Sequence, residues 1–261
     1  MPVLDTLVVV IAVVLLAAAL GGLSLLRLPP AELVHTVDGI DAIEVRVAVG
    51  RVEVADRDRG DVRVELTVRR RPGRSSPRVT TLGSLLRIDG RYSEVRVRLA
   101  VPVGTRVRAE VLTGEITLWG AAGELSLVTR DGTIAGRELG ALSATGPDAA
   151  GPVAAATSVP AAVPTAASGT AAASVAARSQ NGDVSLHFAC PPAGVHAQSE
   201  SGLVTVMLPD AEYDVSVEAG DPRGVQLDLA SVPGAERRVV ARTVSGQVQL
   251  GITAPLGPLP I

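Results

Sequence analysis

Three side chains capable of metal or nucleophile chemistry fall within ten residues: His187, Cys190 and His196. The spacing H-x2-C-x5-H is compatible with zinc ligands. Zinc, however, takes four protein ligands, or three plus water. No second cluster supplies the missing group, and His35 lies far away beside an apolar segment. Phe188 and Pro191-Pro192 instead read as a strand end followed by a turn. As a thiol nucleophile, Cys190 would need a base and a lowered pKa, and the surrounding sequence offers neither. We therefore expect no metal, no cofactor and no catalytic residue.

Three further groups invite a functional reading. Arg59-Gly60-Asp61 spells an integrin-type tripeptide, but it sits in an Arg/Asp-rich turn between two strands, where the Gly already has a purpose. Arg69-Arg70-Arg71-Pro72-Gly73-Arg74 is a basic loop that could meet phosphates or headgroups. It has no aromatic platform beside it, so we expect no nucleic-acid partner. Glu115, Asp131 and Asp183 flank Gly turns and could bind calcium if stacked, but their positions shift between repeats. The sequence holds no phosphate-cradling loop, nucleophile elbow or H-E-x-x-H pair.

The elements that position these groups are legible from the pattern. Leu7 to Leu26 carries no charge, and twenty helical residues at about 1.5 Å each span about 30 Å, a bilayer's hydrocarbon core. No basic residue precedes the run, and it is longer than a signal peptide's usual apolar region. An uncleaved anchor over residues 1–30 is favoured over a cleaved signal. Leu28-Pro29-Pro30 ends it. From residue 42 the period becomes two: Ile43, Val45, Val47 and Val49 share one face, and 61–68 and 94–101 repeat the alternation. These are half-buried strands. No amphipathic helix is read after residue 30.

Gly turns recur in one phase. Gly114, Gly132, Gly182, Gly202 and Gly246 each follow a Thr- or Ser-containing strand and precede another. The step is 18 residues from Gly114 to Gly132 and 20 from Gly182 to Gly202. The 50 residues from Gly132 to Gly182 become one repeat if residues 140–177 are an insertion. That stretch is 16 Ala in 38 residues, broken by four prolines, and reads as a flexible linker. Recurrence in phase favours a β-solenoid, each coil bending at its Gly, over an antiparallel β-sandwich. The expected organisation is an anchor (1–30), a first solenoid part (31–139), the insertion (140–177), a second part (178–253) and a Pro-rich tail (254–261).

Residues 40 to 252 also resemble the bacterial putative-adhesin family of β-strand-repeat domains. The resemblance rests on Val97-Arg98-Leu99-Ala100-Val101-Pro102-Val103-Gly104, Leu112-Thr113-Gly114-Glu115-Ile116 and Asn181-Gly182-Asp183-Val184. Val204-Thr205-Val206-Met207-Leu208-Pro209 and Tyr213-Asp214-Val215-Ser216-Val217 extend it. Glu218-Ala219-Gly220-Asp221-Pro222 departs from the pattern as a degraded turn. The resemblance implies a right-handed parallel β-solenoid with a cell-envelope role and no catalytic residue.

Composition agrees with a narrow core. The 261 residues are 47% hydrophobic, yet only four are aromatic: Tyr92, Trp119, Phe188 and Tyr213. One Cys excludes a disulfide scaffold. All 24 basic residues are Arg. The net charge of −3 conceals 16 Arg against 8 acids over 44–108, and 7 against 15 from Glu110 onward. Interleaving of Arg with Val at strand spacing makes this an outward face kept soluble by charge. The expected function is a non-catalytic envelope protein, an adhesin or scaffold. It would be held in the membrane by residues 7–26 with its β domain outside the cytoplasm. Its partner would be an envelope polymer or a protein. Two other readings are a membrane-tethered stress regulator facing the cytoplasm, and a polysaccharide-processing enzyme, which would need paired carboxylates.

Overall fold

A computed structural model describes residues 31–57, 60–69, 76–121, 123–140 and 173–253. The anchor segment 1–30, the tail 254–261 and nearly all of the insertion lie outside the described residues. Among the described residues no helix is long and apolar enough to cross a membrane.

Alternation becomes strand wherever the sequence predicts it, but Val49 leaves the face of Ile43, Val45 and Val47: a register shift after Val47 turns it outward, 40% exposed. The strands are β1 (Ala31–Asp38), β2 (Ala42–Arg57), β3 (Asp61–Arg69), β4 (Arg78–Leu82), β5 (Leu85–Pro102), β6 (Arg106–Trp119) and β7 (Glu124–Leu139). After the insertion come β8 (Ser174–Asn181), β9 (Val184–Phe188), β10 (Gly194–Ser201), β11 (Val204–Leu208) and β12 (Asp214–Ala219). Then follow β13 (Val225–Leu227), β14 (Arg238–Thr243) and β15 (Val248–Ile252). β8 begins inside the segment assigned to the insertion, because Val175 and Ala177 alternate inward and are buried. A single 3-10 turn, Pro222–Gly224, is capped by Asp221, whose carboxylate accepts from the Arg223 N–H at 2.9 Å. This is the departure noted at Glu218–Pro222.

All fifteen strands belong to one sheet. One run of neighbours is β1-β3-β5-β2-β6-β7-β8-β10-β14-β12. A second run pairs β9 with β7 and β11, and β15 with β11 and β13. β7 therefore pairs with β8 along its first half and with β9 along its second. β8/β9, β10/β11 and β14/β15 repeat, as two short strands, the plan that β2, β6 and β7 follow as one long strand with a Gly within it.

The sheet is mixed, where the family resemblance implies parallel strands throughout. Ladders from β2 to β15 are parallel, but β3 and β4 run antiparallel to β5, and β1 runs antiparallel to β3. A parallel stack ends in a bare row of N–H and C=O groups, which would pair with other chains. Here β4 covers the first part of β5 and β3 covers the rest. Order along the stack also departs from order along the chain. β2 lies between β5 and β6, and β14 lies between β10 and β12.

The inward positions form one continuous cluster of Val, Ile and Leu, with Phe188 and Tyr213 the bulkier members. Each buried aliphatic side chain contributes about 1.5–3 kcal/mol. Tyr213 is enclosed with its hydroxyl donating to the Pro209 carbonyl at 3.0 Å. Burial, more than its neighbours Arg237 and Asp210, raises its pKa above the ordinary value.

Candidate functional site

What holds the outward face in register is a column of glycines. A Cβ on Gly114 would stand 1.7 Å from the Gly50 carbonyl oxygen, and one on Gly132 would stand 1.7 Å from that of Gly114. The column continues with Gly182 on Gly132, Gly202 on Gly182 and Gly246 on Gly202, at 2.1, 2.3 and 1.9 Å. No other residue permits backbones to approach so closely. At Gly114 the φ of 144° adds a conformational reason.

Three residues before each later glycine sits a buried hydroxyl. Ser179 donates to the Gly132 carbonyl at 3.2 Å, Ser199 to that of Gly182 at 2.9 Å, and Thr243 to that of Gly202 at 3.3 Å. Each unit is thereby tied to the one beneath it. Val47 and Val111 hold the same place nearer the N-terminus, with Thr129 next in register. The Thr129 hydroxyl is buried and has no hydrogen-bond partner.

On the opposite, outward side of these strands, Arg and Glu stand tall. Glu44 meets Arg46 and Arg87 at 2.6 and 3.0 Å. Arg51 meets Glu115 at 2.5 Å. The pattern breaks toward the C-terminal ends of β2, β5 and β6. Running across β3, β5, β2, β6 and β7, one row reads Arg63, Ala100, Ala55, Trp119, Arg137. The adjoining row begins Glu65, Arg98, Glu53, Thr117. Two alanines among long side chains leave a trough of about 390 Å³, lined also by Arg57. Arg63 and Trp119 stand at its two ends, three strands or about 14 Å apart. Along one side, Arg63 binds Glu65 at 2.8 Å and Arg98 binds Glu53 at 2.9 Å. Arg137 lies over the Trp119 ring, 5.2 Å from its centre. The trough offers charged donors and acceptors at fixed positions, an apolar floor and an aromatic wall.

The residues singled out by type land elsewhere. His187 lies on β9 and His196 on β10, which belong to different runs of strands, and Cys190 is a free, exposed thiol. Among the described residues no group of three metal-capable side chains forms. His187 is exposed, yet desolvation where it packs, and then the charge of Arg137, hold its pKa below the usual 6.5. Glu115 accepts from the Thr117 hydroxyl at 3.0 Å. Asp131 accepts from the Asn181 amide at 2.7 Å, and Asp183 from the Leu203 N–H at 2.8 Å. Glu115 and Asp183 share a row with Thr133 between them, and Asp131 lies in another row, so no two of the acids are direct neighbours. Gly60 and Asp61 lead into β3, while Arg59 lies outside the described residues. Arg69 pairs with Glu94 at 3.3 Å, and Arg70, Arg71 and Arg74 also lie outside.

Composition named Trp119 but did not place it. The signal that would have done so is Ala55 and Ala100, small residues at outward positions of strands whose neighbouring outward positions are Arg or Glu.

No protein-family model matches the sequence, and no curated protein matches it. Solved structures similar to this chain include a putative adhesin from Bacteroides fragilis, at 8% identity and TM-score 0.43, covering 84% of this chain and 97% of that one. A putative cell adhesion protein from Clostridium sporogenes aligns at 8% identity and TM-score 0.37, covering 85% and 98%. A putative lipid binding protein from Parabacteroides distasonis aligns at 10% identity and TM-score 0.30, covering 87% and 98%.

Proposed function

We propose that this chain is a non-catalytic, membrane-anchored binding or scaffolding protein of the cell envelope, of the adhesin type. Residues 7–26 cross the membrane, and residues 31–139 and 174–253 form one right-handed β-solenoid outside the cytoplasm, its parallel stack covered at the β5 edge by antiparallel β3 and β4. The insertion runs from 140 to the start of β8 at Ser174, and 254–261 is a Pro-rich tail. The observation that carries the reading is the in-register column of glycines. It holds the outward side chains at strand spacing, which suits presentation of a surface to a partner. The partner is an envelope polymer or another protein.

Arg27 favours a second reading. It is the one basic residue near the apolar run and lies on its C-terminal side, which the positive-inside rule assigns to the cytoplasm. The chain would then be a membrane-tethered regulator of envelope stress. Reporter fusions after Leu26 and at Ile261 separate the two. The adhesin reading expects both reporters to be active only outside the cytoplasm, and cytoplasmic activity at Ile261 overturns it.

A further inference from the structure

We infer that the trough floored by Ala55 and Ala100 is a binding site for an uncharged oligosaccharide. This deepens the reading of the chain as a polymer-binding envelope protein and rests on it. Three observations point to the ligand. The first is the shape: about 390 Å³ lies within the range of small-ligand clefts, and its length of about 14 Å suits a short chain of sugar rings. The second is the aromatic wall. Trp119 carries Arg137 over its ring, which fixes the indole as a stacking surface for the C–H face of a sugar. The third is the pairing of charges. Glu53 is held by Arg98 at 2.9 Å, with Arg96 and Arg51 at 3.7 and 3.9 Å, and Glu65 by Arg63.

That pairing decides between ligand classes. An anion would have to compete with Glu65 for Arg63 and with Glu53 for Arg98. A hydroxyl can join such a pair without breaking it, donating to the carboxylate oxygen while accepting from the guanidinium. A polyhydroxylated ring spanning both pairs makes four charge-assisted hydrogen bonds in this way. The flat alanine floor leaves room for the ring between them.

Trp119 is the chain's one tryptophan, so its fluorescence reports on this place alone. The test is titration of the protein with cellotriose and with triacetylchitotriose, followed by Trp119 emission. At least one should give a saturable change whose midpoint is unaltered between about 50 and 500 mM NaCl, because no net charge is exchanged. Glu53→Gln should weaken binding about tenfold or more by removing a charged acceptor. Ala55→Arg should abolish binding by filling the floor, with an unchanged circular dichroism spectrum showing that the fold persists. Absence of a saturable change with both sugars overturns the inference. So does binding of a galacturonate trimer in their place with steep salt dependence. The reporter fusions are independent of these titrations: outward topology with no sugar binding removes the ligand assignment alone, and a cytoplasmic terminus removes the envelope reading.

Discussion

A Cβ added to Gly132 meets the carbonyl of Gly114, a backbone atom that no side-chain rotation can move. Gly132→Ala therefore forces two units apart, and we expect a loss of about 3 kcal/mol or more in urea unfolding. The hydroxyls beside the column give a subtler pair. Ser199→Ala strands the buried Gly182 carbonyl and should cost about 1 kcal/mol. Thr129→Val should instead gain up to about 1 kcal/mol. It replaces a buried hydroxyl that has no partner, in register with Val111, where the same shape already packs. Equal effects of the two changes would contradict the ladder. His187 gives a pH signature. Its folded-state pKa lies below 6.5, so below about pH 6.5 the unfolded chain takes up a proton that the folded chain resists. Stability falls as the pH drops from 6.5 toward the folded value, and this residue contributes nothing to the pH dependence above that window. Urea midpoints at pH 7.5 and 5.5 should separate less in His187→Gln than in the unaltered protein. The turn glycines were readable because Asn-Gly, Asp-Gly and Ser-Gly share a phase. Their closeness to the next backbone was not, since turn chemistry alone explains them in sequence.

Among the elements, strand existence followed directly from alternation, as at 42–49 and 61–68. The pairing order did not. Nothing in Asp61–Arg69 distinguishes an antiparallel cover from a unit of the stack, because both need the same inward valines. The order of β12 and β14 was equally hidden, since Val215 and Val239 serve the core alike and the long loop between them leaves the choice to packing. Order has a measurable consequence. β1 holds no buried residue, and Leu33 and Val34 are 40% and 57% exposed. A chain beginning at residue 39 should lose less than about 2 kcal/mol relative to one beginning at 31. A chain ending at residue 237 lacks β14 and β15, which sit inside the stack. It bares the facing edges of β10 and β12 and should unfold without a cooperative transition. Comparable thermal curves for the two truncations would contradict the interleaved order.

For the molecule as a whole, the scarcity of aromatics and the concealed charge halves both follow from one arrangement. Stacked short strands enclose a narrow interior that Val, Ala and Leu fill, and Arg46, Arg51, Arg63, Arg87, Arg96 and Arg98 face outward beside glutamates. The central claim is that the strands stack in register in the order described. Spin-label pairs measure it directly. With one label fixed at Ser126 on β7, the second is placed in turn at His196 on β10, Val240 on β14 and Ser216 on β12. These positions are linked through Ala176 by the observed register. At about 4.8 Å per strand, the backbone separations should be about 10, 14 and 19 Å. Ser216 should be the farthest although Val240 is more distant in sequence. A Ser216 label nearer to Ser126 than the Val240 label, or separations without a regular step, would contradict the account.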